Sequence, residues 1–162
     1  MLMRKNLLNL LRQNCMLKNE ELAAMLAITA EEVEKEKTAL ENEGIIIGYS
    51  AIINEEKFDK NAVTALIELK VSPQSERGYA VVANQIAQFK EVDSVQLMSG
   101  SFDLAVTIKG SNLRDVALFV SDRLAAMDGV LSTATHFILE RFKEKGVQFS
   151  SDDDDERSLT SP

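Results

Sequence analysis

The chain contains a single cysteine, Cys15, and a single histidine, His136, among 162 residues. A disulfide within one chain needs two cysteines, and a zinc site built by the protein alone needs several cysteine or histidine ligands in a recognisable spacing. We therefore expect neither a disulfide nor a metal centre. The sequence also has no phosphate loop and no nucleophile beside its own base, so we expect no cofactor and no catalytic residues.

Long apolar runs are missing as well. No segment approaches the roughly 20 residues that a membrane-spanning helix needs, and the first eleven residues lack a signal-peptide core and cleavage site. We therefore expect a cytoplasmic protein with no membrane partner. With 45% hydrophobic residues, the chain can still bury a core, in one domain or in two small ones.

Negative charge is concentrated at the C-terminal end of the chain. The net charge is −8, and residues 147–162 supply half of it, with five acids against Arg157. The five acids stand in succession at 152–156, beside too little apolar surface to fold. We therefore interpret residues 147–162 as an acidic disordered tail that repels phosphates.

The first 48 residues show the periodicity of helices. The apolar stripes are Met3, Leu7, Leu8 and Leu11 in one segment, and Leu22, Met25 and Leu26 in a second. Asn19 is the candidate N-cap of the second helix, and a third helix begins with the capping-box sequence Thr29 to Glu32 and ends at Gly44. Because only residues 27–29 separate the second helix from the third, the spacing predicts a helix-turn-helix.

The hydrophobic period changes after Gly44. Residues 45–53 read as a strand and the polar run 54–61 as a linker, so residues 49–61 connect two domains. In residues 62–146 the pattern predicts four strands, at 63–71, 94–99, 104–109 and 131–142. It predicts helices at 79–89 and 113–127. This βαββαβ order is typical of a ferredoxin-like domain, in which an antiparallel sheet carries both helices on one face.

The fold class is therefore α+β, with a helix-turn-helix, winged-helix-like domain at 1–48 and a ferredoxin-like domain at 62–146. The second face of so apolar a sheet must also be covered. A second copy of the chain commonly covers such a face, so we expect a homodimer.

A tight turn with Gly100 and Asp103 joins two strands of the ferredoxin-like domain. Glycine permits backbone conformations that are closed to other residues, and it lets a ligand or a second chain come close. The Asp103 carboxylate can accept hydrogen bonds from a ligand amine or from the turn's own N–H groups. A purely structural turn is the alternative interpretation.

The order of these motifs resembles that of the Lrp/AsnC, or feast/famine, family of transcription factors. The matching stretches are 21–44, 44–49 with 52–54, 99–103 and 127–130. The resemblance implies a transcriptional regulator whose partners are duplex DNA and a small-molecule effector, an amino acid or similar metabolite, bound between neighbouring dimers near the turn. It also implies homodimers that often assemble into octameric rings.

The candidate site residues fall into two sets. The DNA-binding candidates are Thr29, Glu31, Glu32, Lys35, Lys37 and Thr38. The ligand-binding candidates are Met98, Gly100, Ser101, Phe102 and Asp103 at the turn, with Thr133, Thr135 and His136 from a facing strand. Either face of that last strand is a candidate wall of a cleft between chains.

The recognition helix is acidic for a DNA-binding element. Four glutamates at positions 31, 32, 34 and 36 outnumber Lys35 and Lys37, so attraction to phosphates should be weak. Glutamate can contact cytosine in the major groove. Glu31 and Glu32 can instead stabilise the positive N-terminus of the helix. Neither explanation is given by the sequence for Glu34 and Glu36. The alternative function is a metabolite-binding or protein-interaction module with a degenerate DNA-binding head; an enzyme on this scaffold ranks third.

Overall fold

The computed structural model describes residues 2–72 and 78–149. The chain forms two compact units: one comprises the first 53 residues with the segment Lys143–Gln148, and the other contains Asn54–Phe142. Within the described ranges, no helix is long and apolar enough to cross a membrane, and no cluster of His, Cys, Asp and Glu side chains is placed to hold a metal ion. Most of the predicted acidic tail, from residue 150 onward, lies outside the described residues.

Three helices build the first unit: α1 (Leu2–Gln13), α2 (Asn19–Leu26) and α3 (Ala30–Asn42). Their apolar stripes meet in one core, as the periodicity predicts. The buried members of this core are Leu7, Leu11, Leu22, Ala23, Val33 and Leu40. Because only residues 27–29 separate α2 from α3, the predicted helix-turn-helix is confirmed.

The N-terminal ends of α2 and α3 are capped differently. Thr29 and Glu32 form the predicted capping box of α3: the Glu32 N–H donates to Thr29 Oγ1 at 3.2 Å, and the Thr29 N–H donates to Glu32 Oε2 at 2.8 Å. The prediction for α2 is wrong, because its N-cap is Lys18 and Asn19 is already helical. The Lys18 N–H is satisfied by the Glu21 carboxylate at 2.7 Å.

Residues 45–53 do not form the predicted strand. α3 ends at Asn42, Gly44 takes a left-handed φ of +68°, and the following backbone has no ladder partner. A strand is defined by hydrogen bonds to a neighbour, and none of the strands in the described part of the chain pairs with this segment. Most of its apolar side chains are exposed, Ile47 by 95%, whereas Ile46 packs against the core of the first unit. The Tyr49 hydroxyl donates to Glu41 at 2.9 Å.

The second unit has the predicted βαββαβ order. Its strands are β1 (Val63–Val71), β2 (Val92–Leu97), β3 (Leu104–Gly110) and β4 (Val130–Phe137), and its helices are α4 (Glu55–Phe58), α5 (Gly78–Ile86) and α6 (Leu113–Phe119). The sheet has the strand order β2-β3-β1-β4, with every neighbouring pair antiparallel. This arrangement confirms the ferredoxin-like fold class.

The core of the second unit lies between the sheet and its two long helical segments. Alternate residues of β1 point to this side, as a strand with one buried face requires. The buried members are Ala65, Ile67, Leu69, Val71, Val82, Ile86, Leu104, Val106, Ile108, Val116, Val120 and Leu124. The face of the sheet away from the helices is here called the open face.

Three elements differ clearly from the prediction. The helix expected at 113–127 is α-helical only to Phe119 and continues as a π-helical turn, Val120–Leu124. β4 ends at Phe137 rather than at residue 142: Phe137 is the last residue in the ladder with β1, and one more backbone hydrogen bond, from the Ile138 N–H to the Thr64 carbonyl at 2.9 Å, follows it. The linker 54–61 contains α4, whose N-cap Asn54 accepts the Lys57 N–H at 3.2 Å.

A hairpin follows the ferredoxin-like domain. It pairs β5 (Lys143–Glu144) with β6 (Val147–Gln148), and its two central residues have φ values of 46° at Lys145 and 90° at Gly146. Two left-handed residues in succession are typical of a type I′ hairpin turn. The disordered tail predicted from residue 147 is therefore wrong for residues 147 and 148, which are paired.

Candidate recognition helix and effector turn

The exposed side of α3 carries three of the six DNA-binding candidates. Glu31, Lys35 and Thr38 are all exposed, and their spacing of four and three residues places them on one face of the helix. Val33 and Leu40 lie on the opposite, buried side. A recognition helix presents such a polar face to base edges and phosphates in the major groove. The structure therefore keeps these three side chains together and accessible.

A clamp between α1 and α3 accounts for Glu36. The Arg4 guanidinium donates two hydrogen bonds of 2.8 Å to the Glu43 carboxylate and also pairs with Glu36. The hydrogen bonds to Glu43 are the main cause of a raised pKa at Arg4, and Arg4 in turn lowers the pKa of Glu43. A bidentate arginine–carboxylate pair fixes geometry as well as charge, so the pair with Glu43 holds the Arg4 guanidinium in place, and Glu36 contacts it from within the first unit.

A second polar bridge accounts for Glu34. Asn19, in the first turn of α2, donates through Nδ2 to the Glu34 carboxylate and accepts through Oδ1 from Lys37 Nζ at 3.3 Å. Lys37 is accordingly half-buried. The capping residue Glu32 is also occupied, and the backbone N–H of Thr29 is the main cause of its lowered pKa. Of the four glutamates, three are thus engaged within the first unit.

The turn between β2 and β3 spans residues 98–103. It is closed by a hydrogen bond of 2.8 Å from the Met98 N–H to the Asp103 carbonyl. Met98 is 42% exposed, Ser101 is exposed and Phe102 is half-buried. The five turn candidates therefore lie together on one short, accessible stretch of backbone.

Gly100 differs from the expectation in one respect. Its φ is not in the left-handed region, so the backbone conformation there does not require glycine. A Cβ built on Gly100 meets no atom of the chain within 4 Å. The missing side chain therefore leaves open space beside the turn, which is the property a closely approaching ligand or second chain needs.

Asp103 has a partner that the sequence did not predict. Its Oδ2 accepts the Val71 N–H at 2.8 Å, and its own N–H donates to the Leu69 carbonyl at 2.9 Å. Both partners belong to β1. The carboxylate is thus engaged by a neighbouring strand rather than by the N–H groups of its own turn.

The three candidates on β4 do not share a surface. Thr133 and Thr135 stand opposite buried residues of β1, so they point to the helix-covered side. His136 stands opposite Leu66 and points to the open face, where its Nε2 lies 3.4 Å from Glu68 Oε1. His136 therefore lies on the opposite face of the sheet from Thr133 and Thr135.

The open face is polar, although the sequence predicts that both faces of the sheet are apolar. Its residues on the two central strands are Thr64, Leu66, Glu68 and Lys70 from β1, and Ala105, Thr107 and Lys109 from β3. Alternation along β1 places polar side chains there, so the expectation of a second apolar sheet face is wrong, while the homodimer stays a prediction. Runs of exposed apolar side chains occur instead in residues 45–53 and 137–142.

Sequence reasoning missed the Asn19 bridge, the Arg4 clamp and the Val71 bond. Both side-chain contacts join residues that are far apart in sequence, and the bond at Val71 uses a backbone N–H, which every non-proline residue has. The hairpin at 143–148 did leave a signal, because Lys145 and Gly146 separate two short segments by the two residues of a tight turn.

The comparisons with known proteins agree with this architecture. Residues 64–148 match the model of the Lrp/AsnC ligand-binding domain. The chain belongs to the Lrp/AsnC family. It is 45% identical over 157 residues to the HTH-type transcriptional regulator YugG of Bacillus subtilis, across 96% of this chain and 95% of that protein. It is 31% identical over 139 residues to the regulator LrpA of Pyrococcus abyssi, across 86% of this chain and 96% of that protein.

A solved structure extends the agreement to three dimensions. The fold matches a transcriptional regulator from Neisseria meningitidis, crystallised with L-Met, with a TM-score of 0.73 and 22% identity over 88% of this chain and 91% of that one. The predicted resemblance is thus confirmed. This Lrp/AsnC protein is a transcriptional regulator with a helix-turn-helix unit and a ligand-binding domain.

Proposed function

We propose that this regulator binds duplex DNA as a homodimer through the exposed side of α3 and binds an amino acid at the turn 98–103. The supporting observation is that one chain carries two separately packed units with different accessible features. The first offers the polar face of Glu31, Lys35 and Thr38, and the second offers the open turn at Gly100. An effector at one unit that changes DNA binding by the other is allosteric coupling.

The proposed dimer rests on residues 45–53 rather than on the sheet. This segment is rich in apolar residues, and it lacks a strand partner in the described residues. Backbone without a strand partner, beside exposed isoleucines, is a template for pairing with another strand. Two copies of the segment, related by a twofold axis, would pair with each other and present two α3 helices to successive half-sites. Further assembly into octamers follows the family pattern.

The proposed effector site combines space with mixed chemistry. Gly100 leaves room for a ligand, Met98 and Phe102 offer apolar walls, and Ser101 offers a hydroxyl and a backbone N–H. A pocket with apolar walls and few polar groups suits a small amphipathic molecule, and an amino acid has that character. The Neisseria meningitidis relative in complex with L-Met supports this ligand class. Residues of β4 would reach such a site from a second copy.

We expect Lys35→Ala to weaken binding to duplex DNA of random sequence by about threefold to tenfold at low salt, because each phosphate contact releases condensed counterions. The slope of log affinity against log salt should become shallower by about one unit. Fluorescence anisotropy titrations at several salt concentrations measure both quantities.

Lys60→Ala is the matched control, because it removes the same charge from an exposed position in the second unit. It should leave affinity and salt slope close to wild type. Equal losses in the two variants would show that only net charge matters, and no loss in Lys35→Ala would remove α3 from the DNA contact.

The acidic surface of α3 favours one other candidate function, a metabolite-binding or protein-interaction module whose helix-turn-helix no longer reads DNA. Glu31 remains exposed beside Lys35, and α3 offers little positive charge to phosphates. The other three glutamates each have a partner within the first unit, Glu32 at Thr29, Glu34 at Asn19 and Glu36 at Arg4. These structural roles explain the acids without loss of DNA binding and so support the regulator.

A further inference from the structure

Three hydrogen bonds meet at Asp103, at the point where the effector turn enters β3. The Asp103 carbonyl closes the turn by accepting the Met98 N–H at 2.8 Å, and its N–H donates to the Leu69 carbonyl at 2.9 Å. The side chain adds the third bond, from the Val71 N–H to Oδ2 at 2.8 Å. One residue thus ties the end of β2 to β1 through backbone and side chain together.

The Val71 N–H needs this acceptor because of its position in the sheet. The β1–β3 ladder ends at the pair Leu69–Leu104, and the β1–β4 register shifts by a bulge between Lys70 and Val71. Val71 is 3% exposed, so water does not easily replace a lost partner. A buried N–H without an acceptor is costly, and the Asp103 carboxylate satisfies it where the ladder no longer does.

We propose that Asp103 is a positioning residue for the effector turn rather than a ligand for the effector's amine. Its carboxylate anchors the turn to β1, and the anchored backbone presents Gly100, Ser101 and Phe102 to the effector. The inference rests on the proposed effector site at this turn. It requires an oxygen acceptor at residue 103, not a negative charge.

Two substitutions separate these roles. In Asp103→Asn the side-chain amide carries no charge but keeps an oxygen that accepts the Val71 N–H. This variant should therefore preserve the hydrogen bond that anchors the turn, whereas Asp103→Ala removes it. Amide hydrogen exchange at Val71 measures directly, without any ligand, whether the anchoring hydrogen bond is formed. Calorimetry with L-methionine, followed by the other common L-amino acids one at a time, measures effector affinity.

We expect exchange of the Val71 amide and effector affinity in Asp103→Asn to stay within about threefold of wild type. In Asp103→Ala both should change by about tenfold or more, because the N–H loses its acceptor and the turn its anchor. The Leu69 amide, on the same strand but without a bond to the carboxylate, is the internal reference for exchange.

Each contrary result has a distinct meaning. If Asp103→Asn protects Val71 yet loses the effector as fully as Asp103→Ala, the charge contacts the ligand and the proposal is wrong. Unchanged Val71 exchange in Asp103→Ala, or failure of Asp103→Asn to fold, overturns the anchor. If the wild type binds none of the amino acids, the proposed effector class fails, while the exchange comparison still decides the role of Asp103.

Discussion

Replacing Gly100 with tryptophan is expected to weaken effector binding by about a hundredfold while the second unit stays folded. The backbone tolerates a side chain, since φ is not left-handed and a Cβ meets no atom within 4 Å. The indole would instead fill the space beside Met98 and Phe102 that the ligand is proposed to occupy, and an occupied pocket excludes a ligand. Calorimetry measures the affinity, and light scattering measures the assembly.

Gly100→Ala is the matched control for this steric argument. A methyl group fits the open space, so its effector affinity should stay within about threefold of wild type. An unchanged affinity in Gly100→Trp that folds and assembles normally would place the effector site elsewhere on the chain.

Leu40→Ala is expected to unfold the first unit and leave the second intact. Leu40 is fully buried in a small core, with six buried members among the described residues, and truncating such a leucine costs about 2–5 kcal/mol. A unit of this size has little stability in reserve, so DNA binding should be lost. The second unit has its own core, so effector binding should persist.

Hydrogen exchange measured over the whole chain tests this separation. Amides of α1 to α3 should lose protection in Leu40→Ala, and those of β1 and β3 should keep it. Leu2→Ala removes an equal volume from a side chain that is 74% exposed and should change neither unit. Loss of protection in both units together would show that they fold as one.

Most of the fold was predictable because its signals are local. The period of three to four residues located the first three helices, Thr29 and Glu32 marked the start of α3, and alternation located β1 and β3. That residues 45–53 pair with no strand in the described part of the chain was not predictable. Residues 45–53 have the composition of a strand, but a strand also needs a partner, and composition does not reveal where the partner lies.

The candidate site was less predictable, since its contacts join distant parts of the sequence. The sequence placed all six DNA-binding candidates on or beside the third helix, yet it did not show that Lys37 contacts Asn19 or that Glu36 faces Arg4. On β4, both faces of the strand were candidates from the sequence, and the register with β1 now assigns Thr133 and Thr135 to one face and His136 to the other. At Gly100 the structure shows open space and no left-handed φ, so the conformational reason expected for a glycine there does not apply.

Selection of genomic DNA fragments by the purified protein, with and without a mixture of L-amino acids, distinguishes a DNA-binding regulator from a module that no longer reads DNA. We expect enrichment at moderate salt of a motif with two half-sites spaced by whole helical turns. Amino acids should change that enrichment for the wild type and not for Gly100→Trp. Absence of any enriched sequence would contradict DNA regulation by this chain, and an equal response of the two proteins to amino acids would contradict an effector site at the turn.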